Sequence, residues 1–386
     1  MHVPDGFIDA PVSAATGVFA AAAVAVSLRG ARRELGGPGP HAGTGAERTA
    51  PLAGLVAAFI FAVQMLNFPV AAGTSGHLLG GALAAILVGP YTGVLCVSVV
   101  LLMQAVLFAD GGLTALGVNI TDMAVVTTVV AYGIFRGLVK ALPRGRRAVT
   151  AASFAAAVVS VPAAAAAFTG LYALGGTTDV PIGTVFAAMT GVHVLIGIGE
   201  AAITALTVGA VLAVRPDLVY GARGLAKPLQ LRTSPLAGPA ARAGEREPEA
   251  EPAGPARPAA RRSARRVWLA GVAAALVCAG GVSYYASASP DGLEKVAEDQ
   301  GIDAKAEEHA AKDSPLADYS VKDIANPRIS GGLAGVIGVG ATLAVGTGVF
   351  VVVRRRRGAA RDAAGAVADG TAGDAPASPR HTPESA

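Results

Sequence analysis

The chain has 386 residues, of which 53% are hydrophobic and only 15% are charged. This balance lies outside the usual range of soluble globular domains and favours a membrane protein whose main surroundings are the lipid bilayer. The formal net charge of +4 is small, gives no indication of a nucleic-acid partner, and leaves the positions of the basic residues as the informative quantity.

Seven apolar runs occupy the first part of the chain. Most of them reach about 18 residues, the length at which a helix crosses a hydrocarbon core of about 30 Å. Gly and Ala dominate these runs, and small residues favour close helix packing in a bilayer. We therefore predict an all-α fold, a polytopic membrane bundle of seven spans within residues 1–215. The predicted spans are 11–28, 51–68, 76–90, 91–108, 116–135, 149–172 and 184–213.

Three basic clusters follow the first, fifth and seventh predicted spans. Seven alternating crossings place all three clusters on one side of the membrane, and the positive-inside rule makes that side cytoplasmic. We therefore expect a protein of the plasma membrane of a prokaryote. Its N-terminus is expected on the outer side and its C-terminus in the cytoplasm. The clusters consist of Arg29, Arg32 and Arg33, of Arg136, Lys140, Arg144, Arg146 and Arg147, and of Arg215, Arg223 and Lys227.

The composition changes after the seventh run. Residues 216–265 are rich in Pro, Ala, Arg and Glu, which predicts a disordered cytoplasmic linker. Residues 266–353 contain two further apolar runs, which predict a two-helix membrane module. Between these runs, segment 288–329 has ten acidic and five basic residues and is expected on the extracytoplasmic side. Residues 354–386 are predicted to be a disordered cytoplasmic tail.

Motifs for ATP hydrolysis, zinc proteolysis and serine hydrolysis are absent from the sequence. We therefore expect a protein that is not an enzyme. Polar residues in or beside membrane helices are costly, so function is their default interpretation. The histidines that meet this description are His2, His77 and His193.

His2 is chemically special because of its position. The α-amino group, the next backbone amide and the His2 imidazole can form fused chelate rings around one metal ion, and a distant imidazole can supply a fourth nitrogen. Such a set suits Ni²⁺ and Cu²⁺ and can be adapted to Co²⁺. A turn at residues 4–6 would fold the N-terminus back toward the bundle. His2 could also be incidental, and His77 could be either a ligand or a hydrogen-bonding residue of the bundle.

His193 and Glu200 lie seven residues apart, on the same face of a helix. They could form a proton or ion relay, or make separate structural contacts. If they converge at one depth, an alternative function is a membrane-embedded channel or an enzyme that uses this pair.

Four separate segments, in the expected order along the chain, carry a family resemblance. They are MHVPDGFI at residues 1–8, QMLNFPV at 64–70, GTSGHLLG at 73–80 and GVHVLIGIGE at 191–200. Together they resemble the CbiM/NikM substrate-binding subunits of cobalt and nickel energy-coupling-factor (ECF) transporters. In addition, PDGLE at 290–294 resembles the signature of the PDGLE domain, a companion related in role to CbiN/NikN.

The resemblance implies a metal site and a set of partners. The transported ion, Co²⁺ or Ni²⁺, would be held by the Met1 amine, the His2 amide and imidazole, and the His77 imidazole. No cofactor would be permanently bound. Polar residues expected around these ligands are Gln64, Asn67, Ser75 and Asn119.

The same resemblance implies that a CbiQ/NikQ-like coupling subunit and CbiO/NikO-like ATP-binding subunits supply the energy for uptake. The metal would serve cobalamin synthesis or nickel enzymes, and the shared ligand set does not distinguish the two ions. Segment 288–329 is expected either to load or gate the N-terminal site or only to stabilise assembly.

Overall fold

The computed structural model describes residues 1–35, 49–71, 73–223 and 264–372, and this part of the chain is mostly helical. The helices are α1 (Ala10–Glu34), α2 (Thr49–Gln64), α3 (Gly81–Val88), α4 (Pro90–Met103), α5 (Leu116–Asn119), α6 (Thr127–Ala141), α7 (Arg146–Gly175), α8 (Ile182–Val214), α9 (Ala264–Gly280), α10 (Gly292–Gln300) and α11 (Pro327–Ala372).

Two helices are extended by wider turns, and one hairpin interrupts the helical pattern. The π-helical segment Gln104–Phe108 continues α4, and Ile120–Val126 joins α5 to α6. Strands β1 (Phe68–Ala71) and β2 (Thr74–Gly76) pair antiparallel, with Phe68 opposite Gly76. This hairpin follows α2 and leads into the segment that carries His77.

Within the described residues, seven helical segments are long and apolar enough to cross a membrane, which confirms the predicted helical membrane fold. Five of them lie in the first 215 residues and two in the C-terminal module, while α2 is a shorter apolar helix. The long segments are Ala10–Glu34, Pro90–Phe108, Leu116–Ala141, Arg146–Gly175, Ile182–Val214, Arg265–Tyr285 and Pro327–Arg355.

The predicted third span, 76–90, differs from a single helix. Its helical part is only α3, and residues 76–80 form the end of β2 and a segment without regular secondary structure. The cause is a buried carboxylate: Glu200 accepts hydrogen bonds from the backbone N–H groups of Leu79 at 2.6 Å and Gly80 at 3.2 Å. These groups are thereby held just before α3 begins.

The bundle has two distinguishable ends. At one end, Glu34 at the end of α1 accepts hydrogen bonds from the N–H groups of Tyr91 and Thr92 at the start of α4. At the other end, Asp9 before α1 donates its N–H to the Gly175 carbonyl at the end of α7, at 2.7 Å. The first end follows the basic residues of α1, and the second carries the N-terminus.

The C-terminal module packs against α2. Trp268 at the start of α9 donates a hydrogen bond to the Pro51 carbonyl, and Gly54 of α2 meets Thr347 of α11. A Cβ at Gly54 would lie 2.2 Å from the Thr347 Oγ1, so only glycine permits this close approach. The shorter helix α2 is therefore covered by protein on this side.

Two predicted disordered segments contain helical structure. Residues 216–223, the start of the predicted linker, form two 3₁₀ turns, and Val219 between them is fully buried. Residues 224–263 lie outside the described part of the chain. Helix α11 continues to Ala372, beyond the predicted start of the tail at residue 354, through a segment rich in Ala and Arg, which are strong helix formers.

Candidate metal site

The N-terminal segment is buried and fixed by hydrogen bonds. The Asn119 side chain accepts from the Val3 N–H at 2.7 Å and donates to the Val3 carbonyl at 3.0 Å. The same carbonyl accepts from the Gly112 N–H at 2.8 Å. The Asp5 carboxylate accepts from the N–H and hydroxyl of Thr114. Residues 3 to 5 are thus held against the loop before α5 by one backbone hydrogen bond and by the side chains of Asp5, Thr114 and Asn119.

Gly6 completes the predicted turn. Its φ of +86° lies in the left-handed region that favours glycine. A Cβ at this position would also lie 2.2 Å from the Lys305 carbonyl oxygen of the acidic segment. The turn therefore requires glycine for both its conformation and its packing.

The fixed N-terminus brings the Met1 amine to His77. The amine lies 2.6 Å from His77 Nε2, and both residues are buried. The other ring nitrogen, His77 Nδ1, lies 3.1 Å from the Leu78 carbonyl and donates its proton there. This assignment leaves the Nε2 lone pair facing the amine. The spacing is close to the ~2.8 Å between two nitrogens bound at right angles to one metal ion at ~2.0 Å.

The His2 imidazole stacks on the His77 ring, with the ring centroids 5.1 Å apart. His2 Nε2 lies 3.1 Å from Gln104 Oε1, and His2 Nδ1 lies 3.2 Å from Asp110 Oδ1. Burial lowers the pKa of His2 to about 4, although Asp110 opposes this shift. The ring is therefore neutral at physiological pH and carries a single proton.

A tyrosine from segment 288–329 orients the oxygen acceptors around the His2 ring. Gln104 donates its amide to the Tyr319 hydroxyl at 2.9 Å, so the Gln104 oxygen faces His2 Nε2. The Tyr319 hydroxyl in turn donates to Asp110 at 2.5 Å. Both ring nitrogens of His2 therefore face oxygen acceptors, and a neutral ring with one proton can donate to only one of them.

Asp291 is a site residue that the sequence interpretation did not assign. Its Oδ2 lies 2.5 Å from the Met1 amine and 3.4 Å from His77 Nε2. His2, His77 and Asp291 each offer a ligand atom, and these atoms lie within 4.8 Å of one another. Burial alone would raise the pKa of Asp291, but the Met1 ammonium and His77 hold it well below its ordinary value.

The PDGLE motif does contain a signal for the position of Asp291. Asp291 and Glu294 form a capping box at the start of α10, the pattern of an acidic N-cap followed three residues later by Glu. The pattern predicts a helix start, but it does not reveal that one oxygen of the cap faces a site more than two hundred residues away in sequence.

The residues predicted around the ligands have different roles. Ser75 donates its hydroxyl to the Ser289 carbonyl at 2.8 Å and its N–H to the Pro290 carbonyl at 2.8 Å, so it anchors the PDGLE motif. Gln64 donates to the Leu79 carbonyl at 3.0 Å. The Asn67 backbone carbonyl accepts from Ser287, and its side chain has no hydrogen-bond partner among the described residues.

His193 and Glu200 have separate partners. His193 Nδ1 lies 2.7 Å from the Met189 carbonyl, and Glu200 binds the backbone before α3. In the described part of the chain, no hydrogen bond joins the two residues. His193 nevertheless lines a small space beside Met1 and His77, and its Nε2 has no partner there.

A cavity of about 590 Å³ leads to the ligand atoms. Its wall contains parts of both halves of the chain, from the bundle and from the acidic segment. Titratable residues in the wall include His2, His77, Asp110, Asp291, Glu294 and Glu307. Such a lining is suited to admitting a cation.

Comparison with known proteins identifies the family. The model of the cobalt uptake substrate-specific transmembrane region, CbiM, matches residues 2–218. The chain belongs to the CbiM family. The PDGLE domain model matches residues 265–355. Both resemblances drawn from the sequence motifs are therefore confirmed.

Individual relatives agree with this assignment. A protein of Haloquadratum walsbyi named "Putative metal transport protein" is 42% identical over 222 residues, 57% of this chain and 94% of that protein. The fused nickel transport protein NikMN of Rhodobacter capsulatus is 40% identical over 35% of this chain and 36% of its own length. The cobalt transport protein CbiM of Carboxydothermus hydrogenoformans is 46% identical over 26% of this chain and 39% of its own length.

As a CbiM-family member, the chain is a multi-pass membrane component of cobalt or nickel transport and a transporter subunit rather than an enzyme. The alternative of a membrane-embedded enzyme that uses His193 and Glu200 is therefore wrong. The physical reason is visible in their partners, because each residue is used to hold nearby backbone.

Proposed function

We propose that this CbiM-family chain is the substrate-binding subunit of an ECF-type importer that captures Co²⁺ or Ni²⁺ on the outer side of the membrane. The proposed ligands are the Met1 amine, the His2 amide nitrogen and Nδ1, and His77 Nε2. The observation that carries the proposal is the 2.6 Å approach of the buried Met1 amine to His77 Nε2.

The chemistry of this set supports the choice of ion. Amine, amide and Nδ1 of the first two residues form two fused chelate rings, and His77 supplies the fourth nitrogen. Four nitrogens in this arrangement favour Ni²⁺ and are compatible with Co²⁺. The amide and amine bind only when deprotonated, so metal capture releases protons. The ion is the transported substrate, and the proposal includes no permanently bound cofactor.

The charge distribution supports an outward N-terminus. Arg29 and Arg32 lie near the end of α1, and Arg136 lies in the last part of α6, away from the end that carries Met1. Tyr220, next to the basic residue Arg223, packs near Tyr132 of α6 at a centroid distance of 6.3 Å. Because basic residues prefer the cytoplasmic side, the site end is expected outside.

The exposed apolar surface supports a bilayer environment, and the missing P-loop motif indicates that other subunits supply the energy for transport. Large apolar side chains such as Val18, Leu174 and Leu206 are each more than 70% exposed. They are suited to contact with lipid. The sequence has no P-loop motif, so we propose a CbiQ/NikQ-like coupling subunit and CbiO/NikO-like ATP-binding subunits as partners.

Uptake of radioactive Co²⁺ and Ni²⁺ tests the proposal. Cells would express this chain with its coupling and ATP-binding subunits, or with ATP-binding subunits that cannot hydrolyse ATP. We expect accumulation only with active ATPases and its loss in His77→Ala. Accumulation that persists with inactive ATPases would favour the channel alternative and contradict the importer.

A further inference from the structure

The fused PDGLE module contributes to the metal site itself. From its geometry we infer that Asp291 is a ligand of the transported ion, in addition to the nitrogens of Met1, His2 and His77. This inference rests on the proposed function, since it assumes that Co²⁺ or Ni²⁺ binds at the N-terminus.

The first argument is the arrangement of the donor atoms. Met1 N, His77 Nε2 and Asp291 Oδ2 form a triangle with sides of 2.6, 2.5 and 3.4 Å. Neighbouring ligands of one transition-metal ion lie about 2.8–3.4 Å apart when each bond is about 2.0–2.1 Å long. Small movements would therefore allow all three atoms to share one ion. The carboxylate would supply an oxygen beside the nitrogen set.

The second argument is that the two oxygens of the Asp291 carboxylate have different contacts. Asp291 Oδ1 accepts from the N–H groups of Leu293 at 2.7 Å and Glu294 at 2.9 Å, which caps α10. Oδ2 makes no contact with the cap and instead faces the Met1 amine and His77. One oxygen thus fixes the side chain on a helix terminus while the other remains directed at the site.

The third argument is the way the motif is anchored to the bundle. Ser75 binds the carbonyls of Ser289 and Pro290, immediately before Asp291. Gly292, immediately after it, packs on α8, where a Cβ would lie 2.7 Å from Ile196 and 3.1 Å from His193. The bundle therefore contacts the residues on both sides of Asp291, and these contacts keep the Asp291 carboxylate beside Met1 and His77.

Variants of the full-length chain test the inference. Asp291→Asn and Asp291→Ser remove the charge but keep a residue that caps helices well. Asp299→Asn, on the exposed side of the same helix, is the matched control. Affinity for Co²⁺ and Ni²⁺ would be measured by calorimetry, and the ligand field by visible absorption of the bound ion.

We expect both Asp291 variants to bind about 10–100-fold more weakly and to change the absorption spectrum, while Asp299→Asn matches the unmodified chain. Unchanged affinity and spectrum would overturn the inference. Weaker binding with an unchanged spectrum would show a purely structural role, and tighter binding with an unchanged spectrum would show a competitor for the amine. Both results also overturn it. If the unmodified chain binds neither ion, the proposed function itself fails.

Discussion

The clamp on Val3 gives a prediction that separates an ordered N-terminus from a merely flexible one. Asn119 makes two hydrogen bonds to the Val3 backbone, and Val3 is fully buried. Asn119→Ala would leave the Val3 N–H without a partner, because the remaining contact from Gly112 reaches only the carbonyl. The N-terminal segment would then be held less firmly in the position that presents the amine.

The size of the effect follows from the lost contacts. An unpaired buried N–H costs about 1–3 kcal/mol. If a cost of about 2 kcal/mol falls on the ordered N-terminus, the apparent Kd for Ni²⁺ rises about 30-fold. Titration calorimetry on the purified full-length chain would measure this change.

Asp299→Ala, on the exposed side of α10, is the control. It should leave the Kd within about twofold of the unmodified chain. If Asn119→Ala also stays within twofold, the ordered N-terminal clamp is not needed for binding, and the reasoning is refuted.

Three further predictions concern Tyr319, Glu200 and the protons released by metal binding. Tyr319→Phe removes the hydroxyl between Gln104 and Asp110, so the two side chains that contact the His2 ring are held less firmly. Metal affinity measured by calorimetry should then fall by up to about tenfold, and an unchanged affinity would refute the role. Glu200→Gln replaces a buried acceptor of two N–H groups and should lower the thermal unfolding midpoint, whereas the exposed Glu308→Gln should not; equal midpoints would contradict this. Metal binding should release about two protons, one from the amine and one from the amide, so affinity should rise with pH by up to about 100-fold per unit while both are bound in the free protein. Calorimetry in buffers of different ionisation enthalpy measures the number, and release of one proton or none would contradict the amide ligand.

The helical membrane fold could be predicted because apolar length is a direct consequence of bilayer thickness. The break before α3 could not, because it depends on a carboxylate of α8 that captures two N–H groups from a distant part of the chain. Periodicity and composition describe local preferences. They contain no information on such a tertiary contact.

The candidate site was likewise only partly predictable. His2 and His77 stand out by position and by motif, and the structure brings them together with Met1. Asp291 and Tyr319 lie in the fused module, separated from the bundle by the linker, and each looks like an ordinary member of an acidic segment. Their contribution depends on how the module docks, which no local pattern encodes.

The positive φ of Tyr319, 54°, is a further feature that only the structure reveals. A non-glycine residue in this conformation costs on the order of 1–3 kcal/mol and persists where surrounding contacts hold it. Here the hydroxyl bonds to Gln104 and Asp110 are such contacts. The strain is located where the module touches the His2 network.

The most direct test of the central claim compares metal affinity with and without a free α-amino group on Met1. Purified protein with a free Met1 amine, verified by intact mass, would be compared with protein that carries the extension Gly-Ser-Gly-Ser before Met1. A single added residue is unsuitable because it would create a new amine-amide-imidazole chelate. We predict that the extended protein loses at least about 100-fold in affinity for Co²⁺ and Ni²⁺. Equal binding by the two proteins would contradict a site built on the N-terminal amine.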